Sequence, residues 1–284
     1  MPKVILPPLL ALAGGFGGFL LRRWELSAAF DASGLAIPWA PSSLLLILWS
    51  LLIAGAILLL CRKPLHAPKG YDDGFAAVGN LYYLVLSAVA AVCLLLAGVL
   101  GLGGEFTGGA PGLLRMLLWV LCLVSCICVV STVLANFRGA QRSFNLILLA
   151  PAYTFCVWLV VAYQQRAADP VVQDYMYELF AIICALLAFY FTAGFSFGKA
   201  KVWPCAVFCL LSVYFGVVTL ADGHETAQRL LVLFSVFYQL AAAAVLLNNT
   251  FAVRPKRLLR AERMPERAED DAEETGAGDD APAE

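Results

Sequence analysis

The chain has 284 residues and a net charge of −1, with 62% of its residues hydrophobic and only 14% charged. Its mean hydropathy is +0.83. A soluble domain is about half apolar and a quarter charged, so the composition excludes one and points to a membrane.

A helix that crosses hydrocarbon about 30 Å thick needs about 20 mostly apolar residues. Runs of this kind lie at Val4–Leu21, Ser43–Leu60, Tyr82–Leu102, Leu113–Leu134, Phe144–Tyr163, Glu178–Phe195, Trp203–Leu220 and Gln228–Asn248. Each is continuously apolar, without the alternation of a barrel strand, so the expected fold is all-α: a polytopic integral membrane protein with eight transmembrane helices. The first run follows Lys3, as a signal peptide would. Arg22 and Arg23 come directly after it, however, with no small-residue cleavage site before them, and it is read as a retained span.

Within that first span, Gly14-Gly15-Phe16-Gly17-Gly18 follows Pro7-Pro8. Glycines four apart give a flat face for close helix packing, and a broken helix that binds a solute is the other reading. Gly194-x-x-x-Gly198 is read as a second packing face, and 101–112 as a flexible glycine hairpin whose only charge is Glu105. From Leu21 to Asp31 the sequence Leu-Arg-Arg-Trp-Glu-Leu, followed by Ala29-Phe30-Asp31, resembles the opening of some uncharacterised multi-span bacterial membrane proteins. The resemblance covers the first span and its loop, and implies no activity. Eight-span anchor subunits of molybdenum reductases are similar in size, but they use a membrane-proximal histidine. Only His66 is so placed here, so nothing is carried over.

Eight crossings put both termini on one side. That side carries Lys3, Arg62, Lys63, Lys69, Arg138, Arg142, Lys199, Lys201 and six basic residues from Arg254 to Arg267; the other carries Arg22, Arg23, Arg115, Arg166 and Arg229. Basic loops stay in the cytoplasm, so the expected location is a bacterial inner membrane with both termini cytoplasmic. Residues 1–253 form the membrane domain in this reading. Residues 254–284 join a basic juxtamembrane segment, suited to anionic headgroups, to a disordered acidic tail open to a protein partner.

No Asp, Glu, Lys, Arg or His occupies the middle third of any span, which argues against a carboxylate-driven proton pump. Glu178 comes nearest and is read as a headgroup-level residue. There is no membrane histidine to serve as a base and no buried aspartate pair for hydrolysis, and an enzyme is not expected. The nine cysteines form no Cys-x-x-Cys and have only His66 and His224 to join them, so neither metal nor cofactor is expected.

A short internal repeat suggests two four-helix halves. Pro8 and Arg23 match Pro151 and Arg166, while Arg115 and Arg229 each open a fourth helix that closes on Val-Leu-x-Asn. The halves would then be related by a pseudo-two-fold along the bilayer normal. Arg23, Arg166, Arg115 and Arg229 would converge on an anionic lipid or a carboxylate, unless they simply snorkel and pair with Glu25, Asp174 and Glu178. Tyr153, Tyr238 and Gln239 are the candidates to line a central cavity. The leading functional expectation is a transporter or binder of an apolar or amphipathic solute; the alternative is a non-transporting scaffold, sensor or anchor subunit. Membrane lipids are the expected partners, and nucleic acid is not. A cavity lined by those three residues favours transport, and a solid centre favours the scaffold.

Overall fold

Hydrocarbon offers no partner for backbone N–H and C=O groups, so each apolar run closes its hydrogen bonds internally as a helix. The helices are α1 (Pro2–Ala28), α2 (Pro41–Leu60), the single turn α3 (Tyr71–Gly74), α4 (Leu81–Thr107), α5 (Leu113–Arg138), α6 (Ala150–Arg166), α7 (Val172–Ser196), α8 (Val202–Thr219) and α9 (Thr226–Phe251). A 3₁₀ turn, Ile147–Leu149, leads into α6. The computed structural model describes residues 2–31, 35–37, 39–62, 68, 70–107, 112–139, 146–167 and 171–251. The acidic tail, the basic cluster from Arg254 and His66 lie outside the described residues. Among those described there is no strand, only an isolated bridge between Phe30 and Ala36. All the helices but α3 supply the eight segments long and apolar enough to cross a membrane.

Three helices run five or more residues beyond their apolar runs at the end of the bundle away from the start of α1. Helix α1 continues seven residues past Leu21, α4 reaches Thr107, and α7 begins at Val172 rather than Glu178. The extra turns carry Arg22, Glu25, Glu105 and Asp174. The predicted hairpin at 101–112 is corrected accordingly, since Gly101–Thr107 is the last part of α4.

Helices α8 and α9 form the centre. About three quarters of each apolar window is buried (72% and 78%), against 28% for α1 and α2, which lie at the edge. Helix α8 packs on α1, α7 and α9, and α9 packs on α4, α8 and α1. The path α1–α8–α7–α6–α5–α4–α9 closes into a ring, and α2 leans on α1 from outside. Five rings fill the space between α6, α7 and α9. Phe155 lies 5.4 Å from Trp158 and 5.3 Å from Phe189, and Phe189 lies 5.9 Å from Phe234 and 5.4 Å from Tyr238. Such offset and edge contacts add to what burial alone contributes.

This packing does not follow the two-fold expected from the repeat. That symmetry would exchange α4 with α8 and α5 with α9, so the extensive α4–α9 contact would require an equal one between α8 and α5. The α7–α8 contact would likewise require one between α2 and α4. Among the described residues neither pair packs to a comparable degree. The matched motifs mark similar helix ends, where an arginine meets the interface, rather than related halves.

The glycine cluster settles into two packing stripes on an unbroken α1. A β-carbon at Gly14 would come within 2.9 Å of Ile53, and one at Gly17 within 3.0 Å of Trp49, both on α2. At Gly15 it would meet Val217, and at Gly18 Val218 at 2.6 Å, both on α8. Trp49 donates its Nε1–H to the Gly14 carbonyl at 3.0 Å. The expected Gly194–Gly198 packing face is corrected. Gly198 lies past the end of α7 with φ +68°, where it turns the chain, and Lys199 N–H returns to the Gly194 carbonyl at 3.0 Å.

Candidate functional site

The end of the bundle opposite the start of α1 and the end of α9 is closed by a buried polar network. Arg22, on the last turns of α1, is wholly buried. Its Nε donates to Asp222 at 2.8 Å, and its Nη1 to Glu25 at 2.7 Å and to the Gln173 carbonyl at 3.1 Å. Its Nη2 donates to the Asp174 carbonyl. The guanidinium also lies over the Tyr177 ring, 5.2 Å from its centre. A planar fork of five N–H groups suits this demand, because a buried cation is tolerated only when paired and hydrogen-bonded. Gln173 donates to the other Glu25 oxygen at 2.8 Å and to Ser43 on α2. Three elements therefore meet on one arginine, α1, α7 and the turn after α8, and α2 joins them through Gln173.

The turn joining α8 to α9 extends the network. Thr219 donates to Asp222 at 2.8 Å. His224 Nε2 lies 2.8 Å from the Thr219 carbonyl, which requires a proton on that nitrogen. His224 Nδ1 lies 3.9 Å from Glu178, and Glu178 lies 3.5 Å from Arg166, which also reaches Asp174 at 3.4 Å. Glu178 is 3% exposed: it faces inward, onto α6 and the turn. On the other side of the same turn Arg229 donates to the His224 carbonyl at 3.3 Å. Arg115 lies 2.6 Å from the buried Glu105 and 3.6 Å from Glu225.

Three of the four predicted arginines, Arg166, Arg115 and Arg229, thus gather around residues 219–225. Arg23 does not; it is exposed on α1, and its neighbour Arg22 holds the buried position. Arg166 and Arg115 are neutralised by carboxylates, which is the pairing expected if no anion binds there. A cavity of about 300 Å³, bounded by Trp119, Gly101 and Thr226, carries Arg115 and Glu225 on its wall.

Tyr153, Tyr238 and Gln239 are not brought together. Tyr153 is 59% exposed on the outer wall of α6, while Tyr238 is buried in the aromatic cluster. Gln239 is wholly buried, and neither amide atom has a hydrogen-bond partner among the described residues. Elsewhere the polar residues join helices in pairs: Ser125 with Thr154 at 2.7 Å, Ser212 with Ser235 at 2.9 Å, Ser50 with Tyr214 at 2.8 Å. Asn136 donates to Tyr71 at 2.9 Å and to Tyr83 at 3.1 Å, tying α5 to α3 and α4. Burial pushes the Tyr71 phenol well above its ordinary value, so it stays a neutral partner.

A second cavity, of about 430 Å³, opens at the terminal end of the bundle between the start of α6, the last turns of α7 and the connection to α8. Sequence reasoning missed this cavity along with Arg22, Gln173, Thr219, Asp222 and His224 as one cluster. A signal for Arg22 was present, since it continues the Gly15–Gly18 stripe toward α8.

Fold and site define an all-helical, multi-pass integral membrane protein. Comparison with protein-family models, with curated proteins and with solved structures finds no match for the chain.

Proposed function

We propose that the protein is a non-transporting component of a bacterial inner membrane, an anchor or docking scaffold with both termini in the cytoplasm. The observation that supports this reading is the filled centre. The rings of Phe155, Trp158, Phe189, Phe234 and Tyr238 touch one another across α6, α7 and α9, where a solute path would need space. The network on Arg22 adds a second closure at the far end, and each of its hydrogen bonds would have to be exchanged for an opening. Orientation follows from the basic residues on the terminal side, Arg62, Arg138, Lys199 and Lys201 among them.

A second reading, transport or binding of an apolar or amphipathic solute, is favoured by one observation: the buried Gln239 amide without a partner among the described residues. The native cysteines separate the two. Cys205 and Cys209 are wholly buried on the central α8. Membrane-impermeant maleimide, applied to sealed vesicles of either orientation and read by peptide mass spectrometry, should leave both unmodified. Labelling of either from one face, and more so if it alternates between faces, would overturn the scaffold reading.

A further inference from the structure

We propose that the cavity at the terminal end of the bundle is a binding site for one anionic glycerophospholipid, with its phosphate on Lys199 and Lys201 and its first acyl carbons along α7. The cavity is divided by chemistry. Leu149, Tyr190, Phe191 and Phe197 give an apolar wall, and the two lysines stand at its polar end. Tyr190 is 58% exposed and Phe197 48%, so the wall opens sideways, where lipid chains lie. A volume of about 430 Å³ falls within the usual range for small-molecule sites.

The backbone builds this division. Gly198 takes a left-handed φ of +68°, which ends α7 and folds the chain back so that Lys199 N–H binds the Gly194 carbonyl at 3.0 Å. That return sets both lysines over the last turn of the helix. Gly194 leaves the floor open, where a side chain would advance toward the Lys199 carbonyl 3.4 Å from its first carbon. Both lysines are exposed, and among the described residues neither stands in an ion pair. At the far end, by contrast, Arg22, Arg115 and Arg166 are matched to carboxylates. Two unneutralised cations above an apolar wall, just past the end of a membrane-spanning helix, complement a lipid phosphate. A water-soluble anion would gain nothing from the aromatic wall.

The test uses full-length protein in detergent, titrated with phosphatidylglycerol or phosphatidylcholine and read by native mass spectrometry. Thermal unfolding of each variant serves as the folding control. The unaltered protein should retain one phosphatidylglycerol at concentrations where phosphatidylcholine is lost. Lys199→Gln with Lys201→Gln should weaken that retention about tenfold or more. Gly194→Leu keeps both charges and fills the floor, and should weaken it as well. Inorganic phosphate should not displace the lipid. Unchanged retention in the folded lysine pair would overturn the proposal. Retention that survives in a folded Gly194→Leu would reduce the lysines to surface attraction and overturn the cavity as the site. Displacement by inorganic phosphate would assign the lysines to a free anion instead.

Discussion

Arg22 and Asp222 are two hundred residues apart in the chain and 2.8 Å apart in the fold, joined through the guanidinium Nε at the closed end of the bundle. Arg23, its neighbour in sequence, is exposed, about a quarter-turn around the same helix. Removing one partner of a buried, hydrogen-bonded pair leaves the other charge uncompensated, at a cost of about 3–5 kcal/mol. Arg22→Leu should therefore cost about that much in unfolding experiments in detergent. Arg23→Leu should stay within about 0.5 kcal/mol of the unaltered protein. Adding Asp222→Leu to Arg22→Leu should recover part of the loss. Equal effects at positions 22 and 23 would mean that the network is not what holds this end together.

The contrast between these two arginines shows how far the sequence was readable. Spans were legible because lipid allows only one solution for a long apolar run. Their ends were not, because a hydropathy pattern stops at the first charge, whereas α1 and α4 continue through Arg22, Glu25 and Glu105, whose charges find partners. Which arginine turns inward depends on helical phase. Gly15, Gly18 and Arg22 follow at steps of three and four and share one face. Reading that phase needs the knowledge that Gly15 and Gly18 face α8, which is a property of the packing. The network itself joins residues from distant segments, and no local pattern announces such a meeting.

Two glycine substitutions separate close packing from simple helix propensity. A β-carbon at Gly101 would fall 2.2 Å from the Trp119 ring, while one at Gly55 would meet nothing within 4 Å. Gly101→Ala should cost about 1–3 kcal/mol through overpacking. Gly55→Ala, on the lipid-facing α2, should gain a few tenths of a kcal/mol, because it restricts the unfolded chain without a clash. Thermal unfolding of the two single variants checks both signs. A tolerated Gly101→Ala would place Trp119 elsewhere.

Gln239 offers a test of whether its burial serves stability or use. A wholly buried amide with no partner among the described residues carries an uncompensated desolvation cost. Methionine matches its length without polar atoms, so Gln239→Met should raise stability by about 1 kcal/mol. A clear loss would show that the amide has a partner within the fold, and would remove the observation that favours the solute-binding reading.

The pH dependence of stability carries a recognisable contribution from Cys61, at the end of α2. Its side chain is fully buried, and burial pushes the thiol up to about 12 from an ordinary 9.0. The folded state therefore holds the proton more tightly than the unfolded chain does. The resulting stabilisation is complete below about pH 9, where both states are protonated, and is lost as pH rises toward 12 and the unfolded chain ionises first. Tyrosines such as Tyr71 shift in the same sense, so the measurement must be a difference. The stability of the unaltered protein relative to Cys61→Ala should be constant from pH 7 to about 9 and then fall as pH rises. The same buried, neutral thiol should react slowly with iodoacetamide at pH 8, because the thiolate is the reacting species. A difference that stays flat through pH 11, or rapid alkylation at pH 8, would place Cys61 in contact with water.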